Sequence, residues 1–129
     1  MVGRGHTVGA RCHGTGTKPV ITDAIDKSVL YPTQLLGIQG ATDVGFAIAQ
    51  CQAYNNWLSD HVGEGEGRLF GAALLPQQDI EAAAAELRRA AKLPGMVAAF
   101  IRPNPTHDWE PFHHSVYDPL WRAAGCADN

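Results

Sequence analysis

The stretch RLFGAALLPQQDIEAAAAELRRAAKLPGMVAAFIRPNP, residues 68–105, decides the fold. Two apolar runs, LFGAALL and MVAAFI, each end close to a proline, and an alanine-rich run lies between them. Short apolar runs without alternation are typical of strands that are buried on both faces of a parallel sheet. Proline cannot donate a hydrogen bond to a neighbouring strand, so each strand is expected to end there. The order strand, helix, strand therefore predicts a right-handed βαβ unit.

The run between the two strands predicts a helix over residues 79–92. Alanine is the best helix former, and the carboxylate of Asp79 is placed to cap the first turn. Arg88, Arg89 and Lys92 lie near the carboxyl end, where positive charge suits the helix dipole. The residues expected to face the sheet are Ile80, Ala83, Ala84, Leu87 and Ala91.

The same design occurs before and after this unit. SVLYPTQ, from Ser28, predicts a first strand that ends at Pro32, and residues 43–62 predict a helix capped by Thr42 or Asp43. Its apolar stripe consists of Val44, Ile48, Cys51, Tyr54, Leu58 and Val62. A shorter helix is predicted over 115–125, with Pro119 in its first turn. The chain is therefore predicted to be an α/β protein with three parallel strand–helix repeats.

Two features of the first predicted helix need an explanation. Cys51 lies on the apolar stripe and is interpreted as a core thiol rather than a nucleophile. Asn55 and Asn56 lie mid-helix although asparagine is a weak helix former. We interpret them as a helix–loop contact in which asparagine side chains satisfy buried backbone groups.

Three strands leave a parallel sheet with two open edges, so the isolated chain is expected to associate with itself. Residues 1–18 contain five glycines and no acidic residue, and we interpret them as a disordered or non-native leader. The folded part is then residues 19–129.

Composition excludes several classes of function. A net charge of −3 does not suit nucleic-acid binding, and no apolar run has the ~18 residues of a membrane span. There is no apolar secretory segment, and the three cysteines lack a disulfide framework. We expect a cytoplasmic protein whose partner is a small molecule.

Polar residues follow each predicted strand. The carboxyl ends of parallel strands meet at one edge, where ligands bind. The residues predicted to lie there are Tyr31, Thr33, Gln34, Gln77, Gln78, Arg102 and Asn104. The guanidinium of Arg102 suits a carboxylate or phosphate. The alternative is that Arg102 pairs with Asp79, Asp108 or Glu110 and ties the edge together.

Histidines offer a weaker indication of chemistry. His107, His113 and His114 lie in one loop with several carboxylates, a composition that can bind zinc, iron or manganese. None of them forms an H-x-H or H-x-x-x-H pair, so a solvated loop is the favoured interpretation. A site from His6, Cys12 and His13 is weaker still.

Five blocks in order resemble the amidohydrolase-related family, which includes aminocarboxymuconate-semialdehyde decarboxylase-like proteins. They are VLYPT, AQCQAYNNWLSDH, RLFGAALLPQQDIEAAAAELRRA, GMVAAFIRPNP and YDPLWRAA, within residues 22–124. The resemblance implies a (β/α)₈ barrel of TIM type, of which this chain would supply about three of eight units. It also implies a divalent metal, zinc or manganese, and a small carboxylated substrate. The residues of this sequence to which the resemblance gives a role in the pocket are Tyr31, Thr33, Arg102 and Asn104.

The family's metal-binding H-x-H pair and later histidine have no counterpart in this sequence, so no catalytic or metal-binding residue is carried over. We therefore expect a fragment of a metal-dependent hydrolase or decarboxylase that is inactive as an isolated chain. The alternatives are a catalytically dead truncated product and a small α/β module that binds anions or partners.

Overall fold

The computed structural model describes residues 25–104 and 110–125, and these alternate strands with helices as predicted. The elements are β1 (Ser28–Leu30), α1 (Val44–Gly63), β2 (Leu69–Leu74), α2 (Ile80–Ala90), β3 (Met96–Phe100) and α3 (Asp118–Gly125). Short 3-10 turns occur at Ile38–Gly40 and Ser115–Tyr117. The predicted leader, residues 1–18, lies outside the described residues, so its disorder stays a prediction.

The strands form one parallel sheet in the order β1-β2-β3 within the described ranges. Leu30 is paired with Gly71, and Leu74 with Phe100, so β1 ends three residues earlier along the sheet than β2. The register between β2 and β3 shifts at Gly71/Ala72. α1 and α2 each connect neighbouring parallel strands, and α3 follows β3, which confirms the predicted α/β class.

The prediction that every strand is buried on both faces is correct for β2 and wrong for β1 and β3. Five of the six residues of β2 are buried, whereas Val29 is 40% exposed and Val97 is 57% exposed. The reason is position, because β2 has a neighbour on each side while β1 and β3 are the edges of the described sheet. An apolar run in sequence does not reveal which strand is central.

Both long helices begin at the predicted caps. The Asp43 carboxylate accepts a hydrogen bond from the Phe46 amide at 2.9 Å, and Asp79 accepts one from the Ala82 amide at 3.0 Å. Pro119 lies in the first turn of α3, as predicted. None of the helices described has the length and apolar character that crossing a membrane requires.

The core consists of two clusters on the helix-covered face of the sheet. One joins Leu58 and Val62 of α1 to Leu69 of β2. The other joins Leu75, Ile80, Ala83, Tyr117 and Leu120, and so packs α2 and α3 against the end of β2. The two clusters together hold all three helices on the sheet.

Candidate functional site

The candidate site is the edge at which the strands end. Because the sheet is parallel, β1, β2 and β3 all end there, and the segments that follow them are residues 31–43, 75–79 and 101–104. We call these three segments the carboxyl-end rim. Tyr31, Thr33, Arg102 and Asn104 all lie on it.

Glutamines join the first two segments of the carboxyl-end rim. Gln39 Nε2 donates to the carbonyl of Leu75 at 3.2 Å. Gln78 Nε2 donates to the carbonyls of Ile38 and Ala41 at 2.7 and 3.1 Å. These bonds hold the 3-10 turn that follows β1 over the end of β2.

A third glutamine fixes the backbone of Arg102. Gln77 is fully buried, and its Oε1 accepts a hydrogen bond from the Arg102 amide at 2.7 Å. The guanidinium lies beside Gly40, since a Cβ built on that glycine would be 3.9 Å from Nη1 of Arg102. The arginine therefore projects from β3 toward the segment that follows β1.

Pairing of Arg102 with a carboxylate was the alternative interpretation. No ion pair joins Arg102 to Asp79 or Glu110, both of which lie in the described ranges. Asp79 instead caps α2, and the Glu110 carboxylate lies 4.0 Å from His114. Asp108, the third partner considered, lies outside the described residues. The guanidinium thus faces the carboxyl-end rim, and no carboxylate in the described residues pairs with it.

Tyr31 places an aromatic surface on the same rim. Its side chain is 57% exposed, and its ring meets that of Phe100 edge-on at a centroid distance of 6.4 Å. The Thr33 amide and hydroxyl both donate to the Tyr31 carbonyl, at 2.9 and 3.4 Å. Thr33 thus shapes the turn that presents Tyr31, while Asn104 is exposed.

Asn55 reaches the end of β2 from α1. Its Oδ1 accepts from the Leu74 amide at 2.8 Å, and its Nδ2 donates to the Leu74 carbonyl at 2.9 Å. β1 has already ended opposite Gly71, so the carboxamide bonds a stretch of β2 that β1 does not reach. The prediction that Asn55 and Asn56 satisfy buried backbone groups is confirmed for Asn55, with a strand as the partner rather than a loop. It is wrong for Asn56, which is exposed and accepts from the Arg89 side chain.

Glu86 continues this network into α2 and was not anticipated from the sequence. It is 2% exposed and accepts from Asn55 Nδ2 at 2.7 Å. Arg89 donates to both of its carboxylate oxygens at 2.7 and 2.8 Å, and to Asn56 Oδ1 at 2.7 Å. The hydrogen bond to Glu86 raises the pKa of Arg89.

A signal for Glu86 was present in the sequence. Glu86 lies three residues after Ala83 and four before Ala90, on the apolar stripe of α2. A carboxylate at such a position needs a cation and further donors, since an unpaired buried charge is costly.

Cys51 is confirmed as a core thiol. It is fully buried, and burial is the main reason that its pKa is raised to about 12, with the charge of Glu86 the second cause. A thiol that stays protonated at neutral pH is not a nucleophile. No catalytic role is assigned to it.

The histidines described do not assemble into a metal centre. His113 and His114 are exposed, and Nδ1 of His114 accepts from the Val116 amide at 3.2 Å. In residues 25–104 and 110–125 there is no cluster of three or more His, Cys, Asp or Glu side chains that could hold a metal ion. His107 and the leader residues His6, Cys12 and His13 lie outside these ranges.

Comparison with known proteins identifies a matching family and a similar solved structure. The sequence model of the family described as Amidohydrolase matches residues 22–128. No curated protein sequence matches the chain.

Among solved structures, the chain is similar to 5-carboxyvanillate decarboxylase from Novosphingobium aromaticivorans, which contains bound manganese and 3-methoxy-4-hydroxy-5-nitrobenzoic acid. The two are 26% identical, with a TM-score of 0.70. The similarity covers 81% of this chain and 29% of the decarboxylase chain, so this chain spans less than a third of the length of that structure.

Proposed function

The chain belongs to the amidohydrolase family, and we propose that it supplies a substrate-binding part of a metal-dependent decarboxylase or hydrolase. Its fold is a segment of the (β/α)₈ barrel, in which active sites lie at the carboxyl ends of the strands. The substrate class we propose is a small carboxylated molecule. The similar decarboxylase, which was solved with an aromatic acid, supports this choice.

The observation that carries the proposal is the position of Arg102. Its guanidinium is always charged, lies on the carboxyl-end rim and has no carboxylate partner in the described ranges. The planar fork of donors can bind a carboxylate through two parallel hydrogen bonds. The bond from its amide to Gln77 holds the backbone in place before a ligand arrives.

Tyr31 is proposed to pack against the body of the substrate. The exposed ring already contacts Phe100, and aromatic pairs of this geometry contribute ~0.5–1.5 kcal/mol beyond the area they bury. Thr33 and Asn104 are proposed to support the pocket, Thr33 through its two bonds to the Tyr31 carbonyl. An aromatic carboxylate would use both the arginine and this ring.

The divalent metal of the family does not fit the described residues of this chain. Zinc needs about four nitrogen, sulfur or oxygen ligands, and the described ranges contain no group of even three such side chains. The role assigned to this chain is therefore binding and orienting a carboxylate. We propose that the isolated chain has no decarboxylase or hydrolase activity.

Titration with small carboxylates tests the assignment. Benzoate and phthalate are added to the wild type and to Arg102→Gln, and binding is followed by isothermal titration calorimetry. Since a hydrogen bond to a charged group contributes ~1.5–3 kcal/mol, we expect binding to weaken about tenfold or more in Arg102→Gln. Neutral benzamide should bind both proteins equally.

Arg122→Gln is the matched control, because Arg122 lies on α3 and is 3.8 Å from Asp118. It should bind benzoate like the wild type. Equal affinity of Arg102→Gln and wild type for benzoate would contradict the proposal.

A small anion-binding module is the second candidate function, and it is also supported by the Arg102 guanidinium, which has no carboxylate partner in residues 25–104 and 110–125. Such a module would bind inorganic phosphate through Arg102 without preferring an aromatic body. If phosphate binds with the same affinity as benzoate, and if its binding depends on Arg102, the result would favour the anion-binding module over the family's carboxylate chemistry.

A further inference from the structure

Two consecutive glutamines in the segment that follows β2 bind the segments on either side of it. Gln77 Oε1 accepts a hydrogen bond from the Arg102 amide at 2.7 Å, after the end of β3. Gln78 Nε2 donates to the carbonyls of Ile38 and Ala41 at 2.7 and 3.1 Å, after the end of β1. This dipeptide therefore connects all three segments of the carboxyl-end rim.

The backbone that carries the two glutamines is itself held in place. The Gln77 amide donates to the Leu75 carbonyl at 3.0 Å, and the Asp79 amide donates to the Pro76 carbonyl at 3.2 Å. The Asp79 carboxylate also accepts from the Ala82 amide in the first turn of α2. The dipeptide is therefore anchored to a helix that packs in the core.

The bonds of Gln78 hold both ends of the 3-10 turn that follows β1. Ile38 begins this turn, and Ala41 is the residue that follows it. The carboxamide fits in one orientation, because the reversed group would place its oxygen against two carbonyl oxygens. An apolar side chain of the same length would not hold the turn.

Gly40, the last residue of this turn, lies beside the side chain of Arg102. A Cβ on Gly40 would lie 3.9 Å from Nη1 of Arg102, which is ordinary van der Waals contact. The turn therefore borders the guanidinium, while Gln77 fixes the backbone of the same arginine. A long side chain that is already confined loses less conformational entropy when a ligand binds.

We infer that Gln78 is a positioning residue for Arg102: by holding the 3-10 turn beside the guanidinium, it orders the arginine side chain before a carboxylate binds. This inference rests on the proposed function, in which Arg102 binds the carboxylate. Gln78 binds the turn and not the ligand, so its loss weakens binding only through Arg102.

The first test needs no ligand, because it measures the mobility of the arginine side chain. The heteronuclear NOE of the Arg102 Nε–Hε group is measured by NMR in the wild type, in Gln78→Met and in Gln34→Met. Gln34 is the matched control, since it is exposed and lies on the same segment as the turn. The signal should report a confined side chain in the wild type and in Gln34→Met. In Gln78→Met it should report a mobile one, like that of the exposed Arg122.

The second test compares benzoate with neutral benzamide by isothermal titration calorimetry. Gln78→Met should weaken benzoate binding about threefold to tenfold, as expected when a flexible side chain must be ordered on binding, and leave benzamide binding unchanged. In the Arg102→Gln background the same substitution should cause no further loss of benzoate affinity. Damage to the fold would instead lower the affinity for both ligands in both backgrounds.

Two results would overturn the inference: an Arg102 signal that is as confined in Gln78→Met as in the wild type, or an equal loss of benzoate affinity with and without the arginine. Circular dichroism and thermal melting check that each variant is folded, and Gln78→Ala replaces Gln78→Met if the latter is unfolded, with the same expected outcomes. If Arg102→Gln binds benzoate like the wild type, the proposed function fails. The NMR comparison then still decides whether Gln78 orders the arginine, so failures of the two proposals are distinguishable.

Discussion

The side-chain carboxamide of Asn55 forms hydrogen bonds to Leu74 as a peptide group of a neighbouring strand would. It accepts from the Leu74 amide and donates to the Leu74 carbonyl, so it satisfies both backbone groups of that residue beyond the end of β1. Its second amide hydrogen goes to Glu86, whose carboxylate is held in turn by Arg89. One residue of α1 thereby joins β2 and α2 in the interior.

Asn55→Ala is expected to lower the free energy of unfolding by about 3 kcal/mol. The substitution removes the side-chain partner of the buried Leu74 amide and carbonyl, and each unsatisfied buried group costs ~1–3 kcal/mol. Glu86 loses one donor but keeps its bonds to Arg89. Urea denaturation followed by circular dichroism measures the change.

Asn56→Ala is the matched control, one residue further along the same helix. Asn56 is exposed and, among the residues described, accepts from Arg89 alone, so its loss should cost less than about 1 kcal/mol. Equal losses for the two variants would contradict the role assigned to Asn55.

At the level of the elements, the parts predicted from sequence are those set by local pattern. Asp79 caps α2 and Pro119 lies in the first turn of α3, each because neighbouring residues are sufficient to specify the outcome. The glutamine bonds of the carboxyl-end rim and the burial of Glu86 were not predicted. They depend on partners 25 to 40 residues away in sequence, which periodicity does not reveal.

Gly71 sets the distance between β2 and α1. A Cβ at this position would lie 2.7 Å from Leu58 Cδ2 and 2.8 Å from Met96 Sδ, closer than packed side chains allow. Gly71→Ala is therefore expected to destabilise the fold by about 1–3 kcal/mol through overpacking.

Gly63→Ala serves as the comparison. Gly63 is the last residue of α1, and a Cβ there would have no neighbour within 4 Å. Because alanine is the better helix former, this variant should be as stable as the wild type or up to ~1 kcal/mol more stable. A Gly71→Ala variant with the same free energy of unfolding as the wild type, in the same urea denaturation series, would contradict the close approach of β2 and α1.

At the scale of the whole molecule, the described sheet is a segment of a barrel with a central strand and two open edges. The family resemblance predicted this segment correctly, because the five matching blocks follow the order of its strands and helices. The exposure of β1 and β3 could not be read from the same blocks. Apolar strands look alike in sequence whether or not a neighbour covers them.

Amide hydrogen exchange tests the central claim that, of the three strands described, only β2 has neighbours on both sides. It is measured by NMR on the wild type, at a protein concentration at which it is a monomer. The amides of Leu69–Leu74 should exchange slowest, at the rate set by global unfolding, while those of β1 and part of Met96–Phe100 exchange much faster. Protection of β1 and all of β3 equal to that of β2 in the monomer would contradict the account.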